Sequence, residues 1–136
     1  MDPVEMRRRF TAAKVARLAT VSGDGRPHIV PITFAMAGET VYFAVDHKPK
    51  ATTDLKRLRN IEANPAVSVL VDHYEDDWSR LWWVRADGRG RILRAGADFE
   101  SAIAVLTERY GQYRADRPSG PVVAIAVERI TGWSAS

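Results

Sequence analysis

The stretch Lys48-Pro49-Lys50-Ala51-Thr52-Thr53 places two cations and two hydroxyls just ahead of a segment with helical character. A helix start offers main-chain N–H groups without intrahelical partners, together with the positive end of the helix dipole. Ammonium groups and hydroxyls beside it add charge and donors, so the combination suits an anion such as a phosphate. A solvated lysine loop preceding a helix cap is the alternative reading of the same residues. A second stretch, Pro27-His28-Ile29-Val30-Pro31-Ile32-Thr33-Phe34, reads as a strand with a proline inside it. Pro31 cannot donate to a ladder, which points to an edge position, a bulge or a stretch that faces a planar ligand. In a third, Trp78-Ser79-Arg80-Leu81-Trp82-Trp83-Val84-Arg85, two tryptophans are adjacent. Neighbours on a strand point to opposite faces, so one of them can pack inward while the other meets a partner or a pocket.

Other chemistries lack their residues. There are no cysteines, which removes thiolate nucleophiles, disulfides and thiolate metal sites together. No Gly-x-Gly-x-x-Gly, no P-loop and no Gly-x-Ser-x-Gly occurs. His28, His47 and His73 lack metal-site spacing, and no metal is expected. Asp72-His73-Tyr74-Glu75-Asp76-Asp77 matches no calcium loop and reads as an acidic hairpin tip. No catalytic side chain is expected.

The elements that must position these residues can be read from periodicity. Pro3 to Lys14 reads as a helix, with Pro3 suited to its first turn. Val15 to Val21 and Arg26 to Ala35 read as strands joined by the turn Ser22-Gly23-Asp24-Gly25. Along the second strand His28, Val30, Ile32 and Phe34 share one side, and Ile29, Pro31 and Thr33 the other. A third strand spans Thr40 to Val45. A helix then runs from about Thr53, taken as its N-cap, to Ala63. Ala66 to Val71 is an apolar strand of the sheet interior, and Arg80 to Leu93 a long strand bent at Gly88 or Gly90. A hairpin turning at Asp87-Gly88 is the rival reading. Asp98 caps a helix to about Arg109, Arg114 to Pro121 is a loop, and Val122 to Ser134 is the sixth strand. Three meandering strands at the start imply antiparallel pairing, and six such strands curl into a barrel to hide their edges. The fold class expected is therefore mainly β, a six-stranded antiparallel barrel with peripheral helices, in one domain of residues 1–136.

Hydrophobic residues make up 46% of the 136-residue chain and charged residues 27%, as in soluble globular domains. No apolar run approaches a membrane span, and Met1 to Phe10 lacks the apolar stretch of a secretion signal, so a cytoplasmic protein is expected. The net charge of +3 is uneven: residues 1–60 carry 11 basic and 6 acidic side chains, residues 61–136 carry 9 and 11. The basic half suits a small phosphorylated ligand better than a nucleic acid, because the stripe is short and Arg7-Arg8-Arg9 fits the exposed face of the first helix.

Taken together, Ala19-Thr20-Val21, Pro27-His28-Ile29-Val30-Pro31, Lys48-Pro49-Lys50, Asp72-His73-Tyr74 and Trp78 to Arg85 resemble the pyridoxamine 5′-phosphate oxidase-like split-barrel superfamily. Within it the chain is most similar to the small actinobacterial branch of deazaflavin-dependent enzymes. The resemblance implies a homodimeric split β-barrel with two cofactor sites at the dimer interface. It implies coenzyme F420, or FMN as the alternative, lying against the second strand, with ring contacts on His28, Val30, Pro31, Ile32 and Thr33. The phosphate would rest on Lys48 and Lys50, helped by Thr52 or Thr53, and Trp82 or Trp83 would close the site. Hydride transfer to or from a small conjugated organic molecule is the activity implied. The chain lacks the C-terminal arginine–histidine segment by which pyridoxamine phosphate oxidases hold their substrate, so vitamin B6 oxidation is not expected. A non-catalytic flavin or haem binder, with His47 or His73 as the haem ligand, is the other class of function the resemblance allows.

Overall fold

The computed structural model describes residues 1–45 and 52–136, with the side chains of residues 52–55 outside the description. The elements run α1 (Pro3–Ala12), β1 (Ala16–Val21), β2 (Pro27–Ile32), β3 (Ala35–Ala37), β4 (Thr40–Ala44), α2 (Thr52–Ala63), β5 (Ala66–His73), β6 (Trp82–Leu93), α3 (Ala97–Arg109), α4 (Gly111–Ala115) and β7 (Val122–Ser134). A 3₁₀ turn at Trp78–Arg80 leads into β6. Every strand pair is antiparallel, and the order across the sheet is β2-β1-β5-β6-β7-β4-β3.

That order closes the sheet. The two outermost strands, β2 and β3, are consecutive in the chain and are separated only by Thr33 and Phe34. The Cα atoms of Ile32 and Ala35 can be no more than about 11 Å apart, whereas seven flat strands would hold their edges about 29 Å apart. The sheet therefore curls until its edges meet at the Thr33-Phe34 corner. The described sheet has seven strands where six were expected. The apolar run from Arg26 to Ala35 reads as one strand but breaks at this corner, where Phe34 turns fully into the core.

The barrel interior holds Leu18, Ile32, Val41, Phe43, Val67, Val69, Val84 and Ile125. Phe10 of α1 packs on Phe34 with ring centroids 5.2 Å apart, which seats the first helix on the barrel. Phe10, Phe34 and Phe43 are fully buried, and removing each from water contributes about 2–3 kcal/mol. Leu58 and Ile61 of α2 join the same core. There Asn60 donates to the buried Thr20 hydroxyl at 3.1 Å, so two buried polar side chains satisfy each other. A second cluster forms where Phe99, Ala102, Ile103 and Leu106 of α3 cover Ala35, Val122 and Ala124.

Helix α1 starts as its sequence suggests: the Asp2 side chain accepts from Glu5 N at 2.8 Å and Pro3 occupies the first turn. Helix α2 begins at Thr52, so Thr53 lies in the first turn rather than at the cap. Helix α3 begins at Ala97 after Gly96, so Asp98 complements the dipole from the first turn instead of capping. Helix α4 occupies part of a stretch expected as loop. The register of β6 against β7 shifts between Asp87 and Gly88, and no hairpin forms there: β6 runs continuously to Leu93 against β7. Across it β7 bulges, since Asp87 pairs with Arg129 and Gly88 with Val127, leaving Glu128 as the extra residue. Among the described residues no helix is long and apolar enough to cross a membrane.

Candidate functional site

Strand period two sorts the site residues into two faces. On the inner face His28 and Val30 are half-buried, Ile32 is buried, and Trp82 packs against the barrel core. Arg9 of α1 lies over the Trp82 ring, 5.1 Å from its centroid. The His28 Nδ1 atom is buried without a hydrogen-bond partner among the described residues. On the outer face the ladders align side chains in rows. Pro31, Arg17, Leu70 and Arg85 form one row across β2, β1, β5 and β6; Ile29, Ala19, Ser68 and Asp87 form the next; Asp72, Trp83 and Trp133 a third. The structure thus separates the tryptophans: Trp82 faces the core, and Trp83 faces outward with the Arg85 guanidinium 5.7 Å from its ring centroid.

This outer face holds a cleft of about 520 Å³ whose walls include Arg17, Ile29, Leu70, Asp72, Trp83 and Arg85. Ile29 is 66% exposed, and Tyr74 and Trp133 are also exposed at its margins. The helices pack elsewhere, α1 and α2 through Phe10, Leu58 and Ile61 and α3 through Phe99, Ile103 and Leu106. An apolar floor edged by two arginines and a carboxylate accepts a flat, partly polar molecule or an apolar partner surface.

A second cleft of about 550 Å³ opens around Thr33, between Lys14 and Val15 and the α3–α4 segment with Arg109, Tyr110 and Tyr113. The Thr33 and Tyr113 hydroxyls lie 3.4 Å apart. Of the five β2-region residues expected at a ring, Thr33 lines a cleft, and Pro31 lies on the outer face without lining either one. His28, Val30 and Ile32 offer only main chain to the outer side. Lys48 and Lys50 lie outside the described residues, as does His47, and the side chains of Thr52 and Thr53 are outside the description too. Among the described residues no group of three or more His, Asp or Glu side chains is placed to hold a metal. His73 is exposed, with its Nε2 bonded to Glu75.

Sequence reading missed Arg17, Leu70, Arg85, Lys14, Tyr110 and Tyr113 as site residues. Alternation on the long strand does place Arg85 on the side of Trp83. The meeting of Arg17, Leu70 and Arg85 in one row is a tertiary fact that no local pattern carries.

Charge at this face is tightly arranged. Burial raises the Asp87 carboxyl, but the Ser68 hydroxyl at 2.6 Å and the guanidinium of Arg85 at 3.0 Å outweigh it, with Arg129 adding to them, and the net direction is down. Glu5 on α1 falls further, from 4.5 to about 2, first through its hydrogen bond from Arg8 and then through that from Arg9. Both groups titrate lower folded than unfolded. Their stabilisation is therefore complete above the unfolded carboxylate range and is lost as pH falls through the folded values. Urea midpoints are expected to hold between about pH 7 and pH 5 and to fall below about pH 4.5. The double variant Glu5→Gln/Asp87→Asn should show a smaller loss over the acid range than the parent.

With this geometry in place, known proteins fall beside it. A family model described as pyridoxamine 5′-phosphate oxidase matches residues 3–134. An FAD-binding protein from Mesorhizobium loti is 25% identical, with a TM-score of 0.73 over 97% of this chain and 94% of that one. HupZ of Group A Streptococcus is 26% identical, with a TM-score of 0.71 over 98% and 95% of the two chains. HutZ, the heme storage protein of Vibrio cholerae, shares the fold at 19% identity, with a TM-score of 0.73 over 97% and 93%. No curated protein sequence matches. Because the family model spans nearly every element of the barrel, the chain belongs to the pyridoxamine 5′-phosphate oxidase family and carries its split-barrel fold.

Proposed function

We propose that the protein is a homodimeric oxidoreductase that binds a flavin-type cofactor and transfers a hydride between it and a small conjugated organic molecule. The observation that carries this reading is the outer sheet face, where Ile29, Leu70 and Trp83 line a cleft together with Arg17, Asp72 and Arg85. A planar ring fits such a cleft. Strand β2 has β1 on one side and no ladder among the described residues on the other, which leaves main-chain groups for the polar edge of a ring. The 25% identity to an FAD-binding protein points the same way.

In this reading Lys48 and Lys50 hold the phosphate, with Thr52 and Thr53, at the start of α2, because the first N–H groups of a helix have no intrahelical partners. Coenzyme F420 is favoured over FMN because the basic excess of residues 1–60 suits an anionic tail, and Lys56, Arg57 and Arg59 continue the cationic path along α2. Bound cofactor supplies the hydride chemistry; the chain binds, orients and excludes water. Arg17 and Arg85 would steady negative charge on the ring's polar edge, and Trp83 would bound its apolar face. A second copy of the chain would cover Ile29, Trp83 and Trp133 and complete the site, consistent with the mixed apolar and paired-charge character of this face.

Titration of the purified protein with F420, FMN and hemin, followed by fluorescence and absorbance, tests the reading. F420 is expected to bind at micromolar affinity to a species that sediments at twice the 15.2 kDa chain mass. Binding of FMN alone would replace the deazaflavin by the flavin. Binding of hemin alone, with a Soret band, would overturn the oxidoreductase reading in favour of a haem carrier of the kind HutZ is named for.

A further inference from the structure

A third cavity adjoins the Thr33 cleft at Lys14 and Val15 and shares Arg17 and Asp72 with the outer sheet face. This groove of about 790 Å³ runs between the second half of α1, the start of β1, the 3₁₀ turn and the end of β7. Its walls carry Arg8, Arg9, Lys14, Arg17 and Arg80 against a single carboxylate, Asp72. Behind them Glu5 bonds Arg8 and Arg9, Glu75 bonds Arg80 and Asp77 holds Ser79, so four acidic side chains face five cations and the groove stays net positive.

The acids do not use up the donors. A guanidinium carries five N–H groups in a rigid fork. Arg9 gives its Nε to Glu5 at 2.8 Å and rests over Trp82; Arg80 gives its Nε to Glu75 at 3.0 Å. The terminal amino groups of both make no hydrogen bond with the described residues. Each arginine is therefore fixed by its own partner while its bidentate end stays available, the arrangement that binds tetrahedral or carboxylate anions with little ordering cost. The hydroxyls of Ser79 and Ser134 on the same walls donate to Asp77 and to the Ser136 carbonyl, so the arginines are the donors left for a ligand.

We propose that this groove is a second ligand site, centred on Arg9 and Arg80 rather than on the outer sheet face, for a compact anion of phosphate or dicarboxylate chemistry. The unpaired terminal amino groups of Arg9 and Arg80 match such a ligand, and none of the groove's walls comes from α2.

The test uses the full chain and two probes, inorganic phosphate and succinate, titrated calorimetrically and by amide NMR at constant ionic strength made up with chloride. Saturable binding is expected with a dissociation constant of about 1 mM or tighter for at least one probe. Shifts should be confined to residues 8–17, 79–82 and the end of β7. Tighter phosphate binding would identify the tetrahedral source, and tighter succinate binding the dicarboxylate source; either supports the site. Arg8→Gln combined with Arg80→Gln should weaken binding at least about tenfold. The distant pair Arg94→Gln with Arg117→Gln, equal in charge change, should leave binding unchanged. Absence of saturation with both probes, shifts centred on α2, or equal weakening by the distant pair would overturn the proposal. The Arg8/Arg80 variant also separates this site from the cofactor reading, because F420 or FMN titration of it reports on that reading alone.

Discussion

Replacing Gly88 by alanine is expected to destabilise the protein by about 2–3 kcal/mol and lower its thermal midpoint by roughly 10 °C. Gly88 is buried on the inner face of β6, at the register shift opposite the bulge in β7. A Cβ there would stand 2.2 Å from the Ala126 carbonyl oxygen and 3.0 Å from its carbon. Both are main-chain atoms of the neighbouring strand, so no side-chain rotation relieves the clash, and β6 and β7 must part. Their ladder runs from Trp82–Ser134 to Leu93–Val122, and the displacement would reach the outer rows that carry Trp83, Arg85 and Asp87. The gain from a stiffer unfolded chain, about 0.4–1 kcal/mol for Gly to Ala, offsets only part of this. Gly90→Ala is the control on the same strand. Its Cβ would meet the Ile61 side chain at 3.2 Å and Val123 at 3.5 Å, contacts that can give way, and its cost should stay below about 1 kcal/mol. Urea denaturation of the three proteins measures the difference. Equal midpoints for the Gly88 and Gly90 variants would show that the strands at the bulge are not in tight contact.

The same bulge explains what was legible in the sequence and what was not. Period-two alternation correctly put Trp82 and Trp83 on opposite faces, because a strand admits no other arrangement. Which one faces out depends on α1 and Arg9, a contact from the other end of the chain. In β7, Val123, Ile125 and Val127 face the barrel interior, and then Ile130 does. Glu128 flips the parity, so a strict alternation read from Val122 places Trp133 on the wrong side. Pro31 announced an edge strand, and β2 is one, because a missing N–H is a local fact. The break between β2 and β3 was hidden, since nothing in the Pro31-Ile32-Thr33-Phe34-Ala35 run stops a strand; closure of the barrel does. Lys48 and Lys50 were readable as charge beside a helix start, and they lie outside the described residues. The arginines that edge the outer face were not readable, because Arg17 and Arg85 come from strands brought side by side only by β5.

Arg109→Met is expected to cost about 3 kcal/mol and to weaken cofactor binding as well, because this side chain fastens the corner where the barrel closes. Arg109 ends α3 and reaches back to two main-chain carbonyls, Phe34 at 2.6 Å and Ala13. Its guanidinium lies 5.1 Å from the Phe34 ring centroid and 5.3 Å from that of Tyr110. The Tyr110 hydroxyl accepts from Phe34 N at 3.0 Å and donates to the Phe34 carbonyl. Phe34 lies outside the β2 and β3 ladders, so these two side chains satisfy the main-chain groups of the turn that joins the sheet's edges. A charged donor to a carbonyl contributes about 1.5–3 kcal/mol, and methionine leaves the Ala13 carbonyl without this donor and the Phe34 carbonyl to Tyr110 alone, while keeping most of the apolar packing. Arg109→Lys keeps the charge but lacks the planar fork, and should recover less than half of the loss. Tyr110→Phe should cost about 1–2 kcal/mol, and the double variant less than the sum of the two, since both act on Phe34. Thr33, whose side chain opens on the adjacent cleft, rides on the same turn. Loosening the corner should therefore raise the dissociation constant for the cofactor even at temperatures where the variant remains folded. Unfolding midpoints paired with cofactor titrations at low temperature separate the two effects. Unchanged binding in a destabilised Arg109→Met protein would place the Thr33 corner outside the cofactor site.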